Sequence, residues 1–502
     1  MDIQLIFTDL IYLFLPTTMA ESNSKDPALE FLRPCGRFET YSTARHHMGF
    51  YNNVGLTAYY NTSASLKSSL ENVVFAALHQ VIAKHTNLSA VAVNEDKSYP
   101  EVHFVRLPEI DLRRCVEFHT RKTSFPTSTE TDSELDELLQ KQHDRGFKED
   151  VQGPYWRLLI TSSPNTPSAF TASWMYHHAL SDGSSAMIFH RSFLAALNSA
   201  ADVGSVLPVV TTAKTPMLPP LEDLHPMTLS WSFLLYSLAA TLLPSQLLSQ
   251  LAPDVWTGGT IDATTHVPAQ TTTVAISPDV TRAFAAKCRS EKTTVTAALC
   301  ALLAAVLQRG VAAGKLVDID IPISMRPFIP VSQDDMVNAV SNASHAFPAP
   351  TPSSPTPTAQ TLNWNQARAL KASLTHEVAK KGADNPVALL RYVSDMHSFF
   401  TSKHGKKRES SAEVSSIGVW KGGDADGGEG KWKLGRMVFS QCANRTGRPV
   451  DMCVVTGGDG GLVLCFNGAE GDGGKLVREV AEAMGKGVND VVERRGESVD
   501  EP

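Results

Sequence analysis

Two adjacent histidines carry the clearest chemical signal in the chain. His178 is followed four positions later by Asp182, and Asp182 by Gly183, in the stretch His177-His178-Ala179-Leu180-Ser181-Asp182-Gly183. An imidazole held at a strand end, with a carboxylate just beyond a short turn, suits a general base that takes a proton from a hydroxyl, amine or thiol. The ordinary imidazole pKa near 6.5 leaves such a base neutral at neutral pH. Neighbouring side chains of a strand point to opposite faces, so His177 and His178 cannot share one role. Asp182 reads both as the N-cap of a following helix and as the partner of a buried arginine. Gly183 either leaves room beside the base for substrate or serves turn geometry.

These residues need a strand before them and a helix after them. Phe170 to His177, which contains the apolar run to Tyr176, predicts the strand, paired with Trp156 to Thr161 across a turn at Ser162 to Pro167. Ser184 to Leu197 is amphipathic and predicts the helix. Helical spacing also marks Leu66 to Lys84, Glu134 to Gln142, Pro278 to Ser290, Val295 to Gln308 and Leu476 to Val492. Strands are predicted at Glu101 to Leu107, Thr271 to Ile276, Val317 to Met325, Met452 to Thr456 and Leu462 to Phe466. Gly457 to Gly461 lacks the following Lys-Ser/Thr of a phosphate loop and lies between two strands, so it reads as a hairpin turn.

Prolines cluster from Val206 to Pro226 and divide the chain. The expected organisation is an apolar segment at 1–25, a first lobe at 26–205 carrying the histidine motif, a crossover at 206–265 and a second lobe at 266–495. Mobile loops are expected near 346–361, 403–410 and 421–431, the first rich in Pro, Ser and Thr and the last in Gly. The fold class is α+β, with mixed sheets and helices in each lobe.

Composition narrows the function classes. With 42% hydrophobic and 19% charged residues the chain has ample material for a core, and its net charge of −7 supplies no basic field for nucleic acid. The dense basic run Lys403-His404-Gly405-Lys406-Lys407-Arg408 reads as a solvated loop. Seven dispersed cysteines without a CxxC favour a reduced compartment and offer no zinc site, and no metal constellation is expected. Residues 1–18 are read in three ways: a signal-peptide echo lacking the usual basic start, a stretch preceding a true initiator at Met19, or a membrane-surface anchor. Leu229 to Leu251 carries no charge but is interrupted by Pro244 and several Ser and Gln, favouring a buried or interfacial helix over a spanning one. The expected location is the cytoplasm, with peripheral contact to endoplasmic reticulum or lipid droplets as an option, and the expected state a monomer.

The motif resembles the HHxxxDG signature of coenzyme A-dependent acyltransferases of the chloramphenicol acetyltransferase-like fold. Within that superfamily Arg33-Pro-Cys-Gly-Arg-Phe-Glu39, Tyr41-Ser-Thr-Ala-Arg-His46 and Gly49-Phe-Tyr-Asn-Asn-Val54 resemble the N-terminal signature of the fungal alcohol acetyltransferase family. Trp156-Arg157, Trp256-Thr257-Gly258, Pro322-Ile-Ser-Met-Arg-Pro327 and Val414-Ser-Ser-Ile-Gly418 extend the likeness from about residue 31 to 468. The chain lacks a DFGWG segment, unlike the plant-type enzymes, and has Ser415-Ser416 where relatives commonly have Ser-Asn.

The resemblance implies a two-lobed fold with His178 as general base at the lobe interface. It also implies acetyl-CoA or another acyl-CoA as co-substrate, and direct transfer of the acyl group. It makes His177 a packing or hydrogen-bonding neighbour and Asp182 a salt-bridged anchor of the motif loop, with Arg326 as candidate partner. His177, Gly183, Arg326, Ser415 and Ser416 are candidate lining residues for substrate or cofactor. Arg45 and His46 could line the entrance, although a surface or core role suits them as well. The acceptor is a small-molecule alcohol; an amine (a sphingoid base or toxin) or a secondary-metabolite hydroxyl is the alternative. A non-catalytic relative that binds CoA or lipid is the competing class.

Overall fold

The computed structural model describes residues 29–65, 67–147, 152–200, 204–242, 254–264, 266–349, 362–422, 431–469 and 472–493. The apolar segment expected at 1–25 and most of the loops expected near 346–361 and 421–431 lie outside these residues.

Two sheets dominate. The first is built from β1 (Val54–Asn61), β2 (Val116–Thr120), β3 (Trp156–Ser163), β4 (Thr166–Tyr176) and β9 (Lys433–Gln441), in the order β9-β1-β4-β3-β2. The second runs β5-β11-β10-β8-β6-β7, from β5 (Ala269–Ile276), β6 (Val317–Ser324), β7 (Val340–Phe347), β8 (Ala412–Val419), β10 (Val450–Thr456) and β11 (Leu462–Ala469). Within it β6, β8 and β10 run parallel, flanked by antiparallel partners. The two-lobed mixed architecture agrees with the expected fold class.

β9 crosses the expected lobe division. It belongs by sequence to the second lobe yet pairs with β1 of the first, from Gln441 opposite Val54 to Lys433 opposite Asn61. Its polar residues hid it as a strand. Arg436 is buried there because its guanidinium donates to the carbonyls of Glu130 and Thr127.

The helices are α1 (Arg37–His47), α2 (Leu70–Lys84), α3 (Ser133–His143), α4 (Gly183–Ser199), α5 (Trp231–Leu242), α6 (Pro278–Ser290), α7 (Val295–Arg309), α8 (Trp364–Ala379), α9 (Met396–Thr401) and α10 (Asp472–Glu493). Side-chain oxygens of Ser69, Asp132, Asp182, Ser277 and Thr294 accept first-turn amides of α2, α3, α4, α6 and α7, relieving donors a helix leaves unpaired. Strand β4 is fixed against α4 by rings: Trp174 stacks on Phe189 at 4.4 Å and on Tyr176 at 4.2 Å. That packing sets where the strand ends, and hence where the two histidines emerge.

The run 403–408 is a turn exposed at 404–407, as expected of a solvated loop, and it is anchored at its two ends. Lys403 is buried with its ammonium 2.9 Å from Glu409, and Arg408 donates to the carbonyls of Arg445 and Gly447. The apolar stretch Leu229 to Leu251 forms α5 as far as Leu242, with Trp231, Leu235 and Tyr236 80, 61 and 74% exposed, and its remainder lies outside the described residues. Among the described residues no single helix is long and apolar enough to cross a membrane. All seven cysteines are buried and unpaired.

Candidate active site

The motif loop leaves β4 at Tyr176 and enters α4 at Gly183, and hydrogen bonds from both lobes hold it. The amide of His177 donates to Tyr155 O at 2.9 Å, and that of Leu180 returns to His177 O at 3.0 Å. Asn87 Nδ2 donates to Leu180 O at 2.6 Å, and Asn338 Nδ2 to His178 O at 2.7 Å. Asn338 lies just before β7, so a second-lobe residue fixes the backbone of the candidate base.

Asp182 is 1% exposed, borders the same cavity as His178, and has both carboxylate oxygens engaged. Oδ1 accepts from Ser185 N at 2.7 Å, capping α4, and from Arg326 Nη2 at 3.2 Å. Oδ2 accepts from Ala339 N at 3.2 Å. Cap and arginine partner therefore coexist. Arg326 also donates to Asp335 O at 2.8 Å and Ser185 Oγ at 2.7 Å. A buried charge keeps its place only when its lone pairs are met, and here the lobes meet them jointly.

The two histidines have opposite surroundings. His177 is 1% exposed; Nδ1 accepts from Ala179 N at 3.0 Å, and Nε2 approaches Glu95 Oε1 to 3.2 Å, off the line of a good hydrogen bond. The other oxygen of Glu95 meets His46 Nδ1 at 2.6 Å, and His46 Nε2 accepts from Phe147 N at 2.8 Å. His46, from the N-terminal signature, thus meets the motif histidine across one buried carboxylate. Burial pushes the Glu95 carboxyl upward, but the two imidazoles outweigh it and hold it down at about 2. Burial and the neighbouring His46 take His177 down to about 4, against the pull of Glu95.

Three ligand atoms of His46, Glu95 and His177 lie within 4.8 Å of one another, the spacing of a cation site. The protons argue against that use. Each imidazole accepts a backbone N–H on one nitrogen, so in its neutral form the proton sits on the nitrogen facing Glu95, where a metal would need a lone pair.

His178 is half-buried and lines a cavity of about 440 Å³ at the junction of the lobes. Its Nδ1 is buried with no hydrogen-bond partner among the described residues, leaving Nε2 as the nitrogen open to the cavity. Burial lowers its pKa to about 4; the Arg45 cation adds to the effect and Asp182 opposes it. The ring is therefore a neutral acceptor at neutral pH.

Of the remaining candidates, Gly183 and Ser415 line this cavity, whereas His177, Arg326 and Ser416 do not. His177 lies on the far face of its strand and Arg326 behind the motif loop. Ser416 follows Ser415 on β8 and takes the opposite face. Gly183 is demanded by packing more than by turn geometry, since a Cβ there would lie 2.5 Å from Ile417 Cγ2.

The sequence reading missed the opposite wall. Asp320 and Glu413 line it, tied to Arg448 through Arg448 Nε to Asp320 Oδ2 at 2.5 Å and Arg448 Nη1 to Glu413 Oε2 at 3.0 Å. Asp320 and Glu413 lie opposite each other on the parallel strands β6 and β8. Their separation of more than ninety residues left no local signal.

The profile of the alcohol acetyltransferase family matches residues 34–471. A probable alcohol acetyltransferase of Aspergillus fumigatus, crmB, is 34% identical over 462 residues, spanning 87% of this chain and 94% of that protein. A probable alcohol acetyltransferase of Fusarium pseudograminearum, FCK4, is 25% identical over 483 residues, 92% of each chain. Among solved structures, the TRI3 trichothecene 15-O-acetyltransferase of Fusarium sporotrichioides superposes with a TM-score of 0.66 at 12% identity, covering 91% of this chain and 95% of that one. The first condensation domain of the calcium-dependent antibiotic synthetase gives 0.57 at 11% identity, covering 93 and 97%. At such identities the structures establish the fold, which is the chloramphenicol acetyltransferase-like one.

Proposed function

Because the chain belongs to the alcohol acetyltransferase family and is an acyltransferase, we propose that it moves an acetyl group from acetyl-CoA onto the hydroxyl of a small-molecule alcohol, with His178 as general base. The observation that carries this reading is a neutral imidazole whose one open nitrogen faces a cavity shared by both lobes. His178 Nε2 takes the hydroxyl proton as the acceptor oxygen bonds to the thioester carbonyl carbon. The tetrahedral species then expels the CoA sulfur, and the imidazolium returns its proton to the thiolate. No acyl-enzyme forms, so the histidine serves as base and then as acid.

Asp182 does not contact the reacting atoms in this reading. It holds the loop, through Arg326, Ser185 and Ala339, so that His178 keeps its orientation.

The test is His178→Ala, assayed by thiol release from acetyl-CoA with a panel of alcohols and amines. Loss of about 10²- to 10⁴-fold in kcat with an unchanged melting temperature is expected. Full activity in that variant would remove His178 from the mechanism, and no thiol release by the natural chain with any acceptor would favour a CoA- or lipid-binding protein. We further propose that the enzyme is cytoplasmic and rests on a lipid surface, and the exposed rings of α5 support the surface contact. Co-sedimentation with phosphatidylcholine vesicles that is absent, or indifferent to Trp231→Ser, would count against that placement.

A further inference from the structure

Five arginines among the described residues are more than nine-tenths buried: Arg45, Arg106, Arg121, Arg157 and Arg436. Four are conventionally satisfied. Arg106 donates to Glu30 and to the carbonyls of Ala213 and Thr215, and Arg121 to both oxygens of Asp132. Arg157 is ringed by oxygens of Gln142, Arg145 and Gly146, and Arg436 by the carbonyls of Glu130 and Thr127. Arg45 is the exception. Its guanidinium donates to no oxygen of any described residue, and its Nε is buried without a partner.

What surrounds Arg45 explains how an unpaired cation can be kept there. Its Cζ lies 4.3 Å from the ring centroid of Tyr41 and 4.4 Å from that of Tyr51. Aromatic faces offset part of the desolvation cost of a guanidinium while leaving the hydrogen-bonding edge of the fork unused. Backbone bonds fix the arrangement, since Arg45 O accepts from Phe50 N at 2.8 Å and Tyr51 N at 3.2 Å.

That unused edge belongs to the active-site cavity, which Tyr41, Arg45, Tyr51 and His178 all line. Tyr51 also lies against His178, with ring centroids 5.9 Å apart, so one tyrosine borders both the base and the cation. Two acids on the opposite wall of that cavity, Asp320 and Glu413, are engaged by Arg448. A buried donor left open toward a reaction chamber is costly unless a ligand completes it.

Given the acyl-transfer reading above, we propose that Arg45 is the anion-binding residue of the site, receiving a negatively charged oxygen of the reacting pair. Two sources have that chemistry: the thioester carbonyl oxygen as it becomes an oxyanion, and a carboxylate carried by the acceptor. The proposal adds no redox or covalent step. Arg45 only donates hydrogen bonds, and the bond changes are those at the thioester.

The test uses the full-length chain, Arg45→Met and Arg45→Lys, with hexanoate as the binding probe measured by titration calorimetry. Removing a charge-assisted donor should weaken hexanoate binding about tenfold or more in the Met variant, with partial recovery in the Lys variant. Melting of Arg45→Met should match or exceed the natural chain, because no protein partner is orphaned. A variant that unfolds would mark Arg45 as structural and overturn the assignment, as would absent hexanoate binding or equal affinity in the natural chain and Arg45→Met.

Kinetics then separate the sources, using acetyl-CoA with hexanol and with omega-hydroxyhexanoate. Equal losses in kcat/KM, on the order of 10²-fold or more, identify the oxyanion. A loss confined to the hydroxy acid identifies an acceptor carboxylate, and no loss with either acceptor overturns the proposal. A natural chain that binds hexanoate through Arg45 but releases no thiol would sink the acyl-transfer reading and leave the anion site standing.

Discussion

The back and the front of the histidine motif are built on opposite rules. Behind it, Asp182, Arg326 and Ser185 interlock with the main chain of 335–339, and Glu95 gathers His46 and His177. In front, Arg45 Nε has no partner among the described residues, His178 leaves Nε2 open, and both side chains border the same cavity. Behind the motif Arg326 Nε, Glu95 Oε1 and His177 Nε2 also lack a partner among the described residues, but those side chains do not line the cavity, so the front is where a ligand can complete an open group. The difference sorts the polar residues of one loop into those that position and those that can react, which identity alone does not do.

Breaking the mount should be felt in stability first. Asp182→Ala takes the carboxylate partner from a largely buried Arg326 and uncaps α4, and should cost about 3–5 kcal/mol in denaturant unfolding. Activity per folded molecule should fall with it. A variant of normal stability and lowered kcat would instead put Asp182 on the reacting side.

Acid should come next, and its sign follows from the buried imidazoles. His85, His177, His178 and His190 are lowered to about 4 and His143 to about 3, in each case chiefly by burial. The unfolded chain takes up protons near pH 6.5 that the folded chain refuses, so stability is lost as pH falls from about 6.5 toward 4. Asp136, raised by burial to about 7, Asp318, to about 6, and Asp451 and Glu222, also raised by burial, work the other way over that window, because their folded forms hold protons the unfolded chain releases. The histidines outnumber them, and a melting temperature that rises on acidification from pH 6.5 to 5 would contradict the assignment.

Glu95→Gln should have the smallest effect. One oxygen remains to accept, but the amide end presents N–H to an imidazole that also donates. The expected cost is about 1–3 kcal/mol, with kcat lowered and KM little changed, since His177 is joined to His178 by one peptide bond. A change confined to KM would place Glu95 in substrate binding.

Much of the fold was legible because periodicity survives wherever one face is buried. The helix Pro278–Ser290 coincides with its expected bounds, and the motif strand and helix differ by a few end residues. The elements that escaped carry buried polar residues in place of an apolar pattern. Helix α1 buries Glu39, Thr40, Ser42, Thr43, Arg45 and His46, and β9 hides Arg436. Their partners are far away in sequence, so no local window shows why those side chains can be buried.

The residues at the site divide along the same line. The sequence by itself determined the family, the general base candidate at a strand end, and the cap at Asp182, because these rest on local spacing. Only the tertiary structure decided that His46 belongs with His177, that Asp320 and Glu413 engage Arg448, and that Arg45 has no acceptor among the described residues. Whether a buried polar group is satisfied depends on atoms brought in from distant segments, and that is set by packing, not by neighbours along the chain.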